Sequence, residues 1–211
     1  MVYDYDGLDF QTSLPLNNKL IGSFRNSKSK QVQESVSITY FQKAMYYYKI
    51  GDNLSTCDNF INAFRLGNAT AGSNLFYLLR KKEIIPTNLP YTMEELIEPG
   101  LNEKLSFALI NKAMYSIEES SEWELADNLF SQIELTNETS DDIEDVKSWW
   151  LDLANSGDIE GDLVLAMLNR HNLINDPDEL SIKDRLGKLT GWDIPNFLFE
   201  EINLTLEELQ V

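Results

Sequence analysis

The one histidine, His171, and the one cysteine, Cys57, bound the chemistry this chain could perform. A Ser-His-Asp or Cys-His nucleophile would have to be built on His171, because imidazole is the base such a pair needs. His171 stands in Asn169-Arg170-His171-Asn172 at the end of a helical stretch. A cationic ring there complements the negative end of the helix dipole, so His171 reads as a capping residue. Cys57 falls on an apolar stripe and reads as a small core residue. One histidine and one cysteine cannot furnish an ordinary zinc site. Asp141-Asp142-Ile143-Glu144-Asp145 lacks the alternating acids, the glycine and the distal glutamate of a calcium loop, and reads as the acidic first turn of a helix. No Gly-x-Gly-x-x-Gly or other phosphate loop occurs. No metal, no cofactor and no catalytic residue are expected.

The carboxylates are the remaining polar resource, and they are unevenly placed. The chain carries 35 acids against 17 bases, a net charge of −18. Residues 1–90 hold 7 acids and 10 bases, whereas residues 117–162 hold 15 acids and one base, Lys147. A one-sign stretch of that density either keeps the protein in solution or steers a basic partner to it. It also argues against direct contact with nucleic acid, whose phosphates need Lys and Arg. The residues expected to meet a partner are Glu122, Glu124, Asp127, Asp141, Asp142, Glu144 and Asp145 on outer helix faces. One of Trp149 and Trp150 is expected to be the anchor, because adjacent helical residues point about 100° apart and cannot both face inward.

The elements that must position these side chains are helices. With 43% hydrophobic residues among 211, the chain can bury a core. No apolar stretch approaches the ~20 residues of a membrane span. Met1-Val2-Tyr3-Asp4 opens without a basic or apolar leader, and cysteine use fits a reducing compartment, so a cytoplasmic protein is expected. Residues 1–34, punctuated by Pro15 and Gly22, read as an extended arm packed on the body. From Ser35 apolar residues recur at three and four. The stripes are Tyr40, Phe41, Ala44, Met45, Tyr47 and Tyr48; Cys57, Phe60, Ile61 and Phe64; Leu75, Phe76, Leu78 and Leu79. They continue with Leu101, Leu105, Ala108, Leu109, Ala113 and Ile117; Trp123, Ala126, Leu129, Phe130 and Ile133; Ile143, Val146, Trp149, Trp150, Leu153 and Ala154; and Ile159, Leu163, Ala166, Met167 and Leu168. Capping boxes are expected at Thr92/Glu95 and Ser121/Glu124, and Ser55 with Asp58 gives a shortened one. Pro86, Pro90 and Pro99 mark an irregular connection. The expected class is all-α, a single helical-repeat domain over 35–211 with a first lobe over 35–85, a second over 100–175 and a C-terminal helical cap over 176–211.

Two seams align. Gly67 and Gly157 occupy the same turn, Ala71 and Gly161 follow four residues later, and Leu75/Leu165, Leu78/Leu168 and Arg80/Arg170 continue the match. A tight turn followed by a small residue places one helix close against the next. Trp149-Trp150-Leu-Asp-Leu-Ala154-Asn-Ser-Gly157-Asp158 and Asn62-Ala63-Phe64-Arg65-Leu66-Gly67-Asn68-Ala69-Thr70-Ala71 resemble Sel1-like repeats, relatives of tetratricopeptide repeats. The resemblance implies antiparallel αα-hairpins stacked into a short solenoid, and a non-enzymatic adaptor that grips another protein. A general bundle of αα-hairpins is the other architecture open to these stripes.

Three functions fit these observations. The first is a protein–protein interaction module for a partner with a basic surface, itself a monomer or weak dimer. The second is an acidic inhibitor of the immunity-protein or antitoxin type, blocking a basic toxin or nuclease. The third is an enzyme using paired carboxylates.

Overall fold

A computed structural model describes residues 10–86, 88–134 and 140–174, with side chains of the first helix from 17 and of the eighth from 146. The C-terminal cap expected over 176–211 and residues 1–9 lie outside them. Among the described residues there are nine α-helices and no strand, an all-α architecture. It divides into two compact units, Met1–Asn111 and Lys112–Val211.

Unit 1 holds α1 (Phe10–Phe24), α2 (Lys30–Lys49), α3 (Asn53–Arg65), α4 (Ala69–Arg80), α5 (Met93–Asn102) and the start of α6 (Ser106–Ser120). Each of α1 to α4 packs on the next. Residues 10–24 are helical rather than extended. Leu20, Ile21 and Phe24 keep helical spacing, Ile21 is buried, and this outweighs the punctuation at Pro15 and Gly22. For the same reason α2 opens at Lys30, five residues before the expected start. The core is aromatic and aliphatic: Phe60, Phe76, Leu75, Leu96 and Ile97 are fully buried, and the Phe41 and Phe60 rings meet edge to face at 5.7 Å. Removing one of the buried phenylalanines would cost about 3–5 kcal/mol.

Helix ends follow from local polar chemistry. The Thr92/Glu95 capping box is present: the Glu95 amide donates to Thr92 Oγ1 at 3.2 Å and the Thr92 amide to Glu95 Oε2 at 2.7 Å. α3 is capped by Asp52 rather than Ser55; the Ser55 amide donates to Asp52 Oδ1 at 3.0 Å and its hydroxyl to Oδ2 at 2.7 Å. These bonds hold the Asp52 and Glu95 carboxyls below their ordinary pKa. Pro99 lies inside α5, and the stripe running from Leu101 to Ile117 is broken after Asn102, where Lys104 takes a left-handed conformation with φ 54°. α4 and α5 cross on two glycines. A side chain at Gly72 would strike the Leu96 carbonyl and the Phe64 ring, and one at Gly100 would meet Ser73 Oγ at 2.5 Å. The closest approach of α4 is therefore at Gly72, next to the fully buried Ala71.

Unit 2 holds the rest of α6, α7 (Trp123–Ser131), α8 (Ser140–Asn155) and α9 (Ile159–Arg170). α8 packs on α9, and α7 touches α9. Trp150, Phe130, Met114, Leu163 and Leu168 are buried. The Ser121/Glu124 capping box does not form. Ser121 is spent as the left-handed terminator of α6 at φ 54°, its amide donating to the Ile117 carbonyl. α7 then starts one residue later from Glu122, which makes no side-chain cap. The turns at Gly67 and Gly157 match closely, with φ of 88° and 89°. Each is followed by an N-cap, Asn68 accepting from the Ala71 amide and Asp158 from the Glu160 amide.

Candidate functional site

The acidic region of the sequence becomes, in unit 2, a corner between α6 and α7. Glu118, Glu119 and Ser120 end α6 exposed, Ser121 turns the chain, and Glu122 and Glu124 are exposed at the start of α7. The other side of α7 is buried through Trp123, Ala126, Leu129 and Phe130. That inner stripe fixes which way the carboxylates point, since an apolar face turned to the core leaves its polar face in water. Leu125, one position off the stripe, is 40% exposed beside these carboxylates. It was not singled out from the sequence, although its phase, about 100° from Ala126, is a signal for it.

Asp127 belongs to a different arrangement from its acidic neighbours. Instead of facing water it is half-buried against the end of α9. Arg170 donates from Nε to Asp127 Oδ1 at 3.1 Å, and His171 Nε2 is 2.8 Å from the same oxygen. The His171 ring lies parallel to Phe130, 7° between planes and 6.3 Å between centroids. His171 is the C-cap residue of α9, the helix end at which the sequence places it. The cluster ties α7 to α9 with one carboxylate serving two cationic or potentially cationic partners. The carboxylate at Nε2 fixes the orientation of the imidazole and the ring lies along Phe130, so this pairing holds α7 to α9.

The tryptophan pair resolves as one inward and one outward ring. Trp150 is fully buried, and Trp149 is half-buried against it, the rings edge to face at 4.6 Å. Trp149 is therefore the one that can meet a partner. Asp141, Asp142, Glu144 and Asp145 follow Ser140 in the first turns of α8, and their side chains lie outside the description. Of the nine residues expected at a partner surface, the structure thus shows Glu122 and Glu124 exposed, Trp149 part-exposed, and Asp127 and Trp150 turned inward.

Cys57 is buried in α3, where desolvation and the neighbouring Asp58 raise its thiol pKa. Among the described residues no group of three His, Cys, Asp or Glu side chains is placed to hold a metal ion, and no helix is long and apolar enough to cross a membrane. Scans against protein-family models, curated protein sequences and solved structures find no match.

Proposed function

We propose that the protein is a non-enzymatic interaction module that binds a partner protein with a basic surface through the acidic corner of unit 2. The observation that carries this reading is the exposure of Glu118, Glu119, Glu122 and Glu124 around Leu125. Carboxylates steer a cationic partner into contact, and an apolar side chain among them supplies a desolvated centre. Trp149, part-exposed on α8, extends the surface. The paired turns at Gly67-Asn68 and Gly157-Asp158 support a helical-repeat scaffold of the Sel1-like or tetratricopeptide kind, whose members present such faces to other proteins.

The test is a salt series of association rates against immobilised Lys/Arg-rich peptides and against proteins co-purifying from native lysate. Association slows steeply with salt, and an E119Q/E122Q/E124Q variant associates about tenfold more slowly with an unchanged circular dichroism spectrum. Rates indifferent to salt and to the variant overturn the reading. A single stoichiometric basic partner marks an inhibitor of the immunity-protein or antitoxin type; several weaker partners mark an adaptor.

A further inference from the structure

Unit 1 has a surface of the opposite sign. Residues 10–33 contain Lys19, Arg25, Lys28 and Lys30 and no acid, in a chain of net charge −18. All four bases are exposed, and none forms an ion pair with a described residue. Three of them lie in or beside the turn joining α1 to α2, next to Phe24, which is 48% exposed.

The turn is held in place by its own hydrogen bonds. The Arg25 amide donates to the Ile21 carbonyl and the Ser27 amide to the Phe24 carbonyl, both at 2.9 Å. The Gln33 side-chain amide donates to the Ser27 carbonyl at 3.0 Å and the Ser29 amide to Ser27 Oγ at 3.2 Å. A ring and three cations held on a pinned turn lose little further freedom when a ligand arrives. Stability alone does not ask for these bases: Lys30 opens α2, the first turn has no acid, and Ser29 provides no side-chain cap. Cations at the positive end of a helix oppose its dipole.

We propose that the α1–α2 turn is a second docking surface, which takes an acidic peptide segment of another protein carrying a large apolar side chain. The carboxylates of such a segment complement Arg25, Lys28 and Lys30, and its apolar side chain covers Phe24. The chain's charge selects this occupant over other anions. A nucleic acid or an anionic membrane brings a dense, extended negative charge, which a chain of net charge −18 repels more strongly than it does a short peptide. One exposed aromatic ring also gives a single contact rather than the succession of stacking platforms that a nucleic acid strand uses.

The experiment uses the full chain and fluorescent synthetic peptides rich in Glu and Asp, each bearing one Leu, Phe or Trp, read by anisotropy at low salt. The same peptides with Gly at the apolar position, an oligouridylate and phosphatidylserine vesicles serve as comparison probes. The apolar-bearing acidic peptides bind; R25E/K28E/K30E weakens them at least about tenfold, and F24S brings them to the level of the glycine versions. The unit 2 variant E119Q/E122Q/E124Q leaves this binding unchanged, so the outcome is independent of the acidic corner. Circular dichroism confirms that the exposed-site variants fold. Absence of peptide binding, peptide binding indifferent to R25E/K28E/K30E or to F24S, or tighter binding of the oligouridylate or the vesicles overturns the proposal.

Discussion

The backbone nitrogen of Ala154 in α8 lies 2.5 Å from where a side chain's first carbon would stand at Gly161 in α9, with the Trp150 carbonyl at 2.9 Å. Both neighbours are main chain and cannot swing aside. G161A therefore separates the two helices and costs about 1–3 kcal/mol, with G161L at or above the top of that range. Denaturant midpoints measure it, and a G161A midpoint equal to the wild type's contradicts the crossing. The same logic predicts a comparable loss for G72A, where the obstacle is the Leu96 carbonyl.

Asp127 is predicted to matter for stability more than any acid of the exposed corner. D127A leaves Arg170 and His171 without their shared acceptor and costs about 1–2 kcal/mol, discounted for its partial exposure. E122A and E124A stay within about 0.5 kcal/mol. The single imidazole resonance of the protein reports the same event directly, because D127A frees the ring to leave its place on Phe130. An unmoved resonance and an unchanged midpoint would show that the cluster holds nothing.

Lys82 and Ser121 carry φ of 56° and 54°, a left-handed backbone that a side chain disfavours. K82G and S121G each stabilise the protein by up to about 1 kcal/mol, because glycine enters that region freely. N172G, at φ 55°, gains less, since asparagine tolerates the conformation. Thermal midpoints in the order K82G and S121G above N172G above wild type check this.

The caps of α3 and α5 make both helix starts acid-sensitive. A carboxyl whose folded pKa is lowered contributes stability that is complete above its unfolded value and disappears as pH falls through the folded one. For Asp52 and Glu95 this places the loss on the acid side, in and below the ordinary carboxylate range of about pH 4. Protection factors of the Ser55 and Glu95 amides, taken against the intrinsic exchange rate at each pH, fall ahead of global unfolding as pH falls, and D52A/E95A abolishes that pH dependence. Tyr48 acts at the other end. Burial and the 2.6 Å bond to Glu83 raise its phenol pKa, so its contribution holds below about pH 10 and is lost as the folded phenol ionises. Y48F removes that alkaline dependence.

How far the sequence could be read depends on the range of the interaction. Thr92 and Glu95 are three residues apart, so their box is visible as a pattern, and the Gly67 and Gly157 turns are visible because glycine is the residue they require. The α6 terminator at Ser121 is hidden: a serine before an acid has the pattern of a cap, and only the packing of α6 decides that it ends one helix instead of starting another. α1 is hidden by Pro15 and Gly22, whose local preference is overridden once Ile21 is buried. In the candidate site, the outward direction of Glu122 and Glu124 follows from the stripe beside them. The diversion of Asp127 does not, because Arg170 and His171 are 43 and 44 residues away and meet it only through the packing of α7 against α9.

Among the described residues of unit 2, the two glycines divide by handedness. Nothing lies within 4 Å of a side chain built on Gly157, yet its φ is 89°; Gly161 has a crowded surround and an ordinary helical backbone. A right-handed amino acid would settle this by semisynthesis: D-alanine prefers positive φ and suits Gly157, where L-alanine is strained. At Gly161 the same residue would fight the helix. Mutational drift should follow that division, with asparagine or aspartate tolerated at the corner and nothing but glycine at the crossing four residues on.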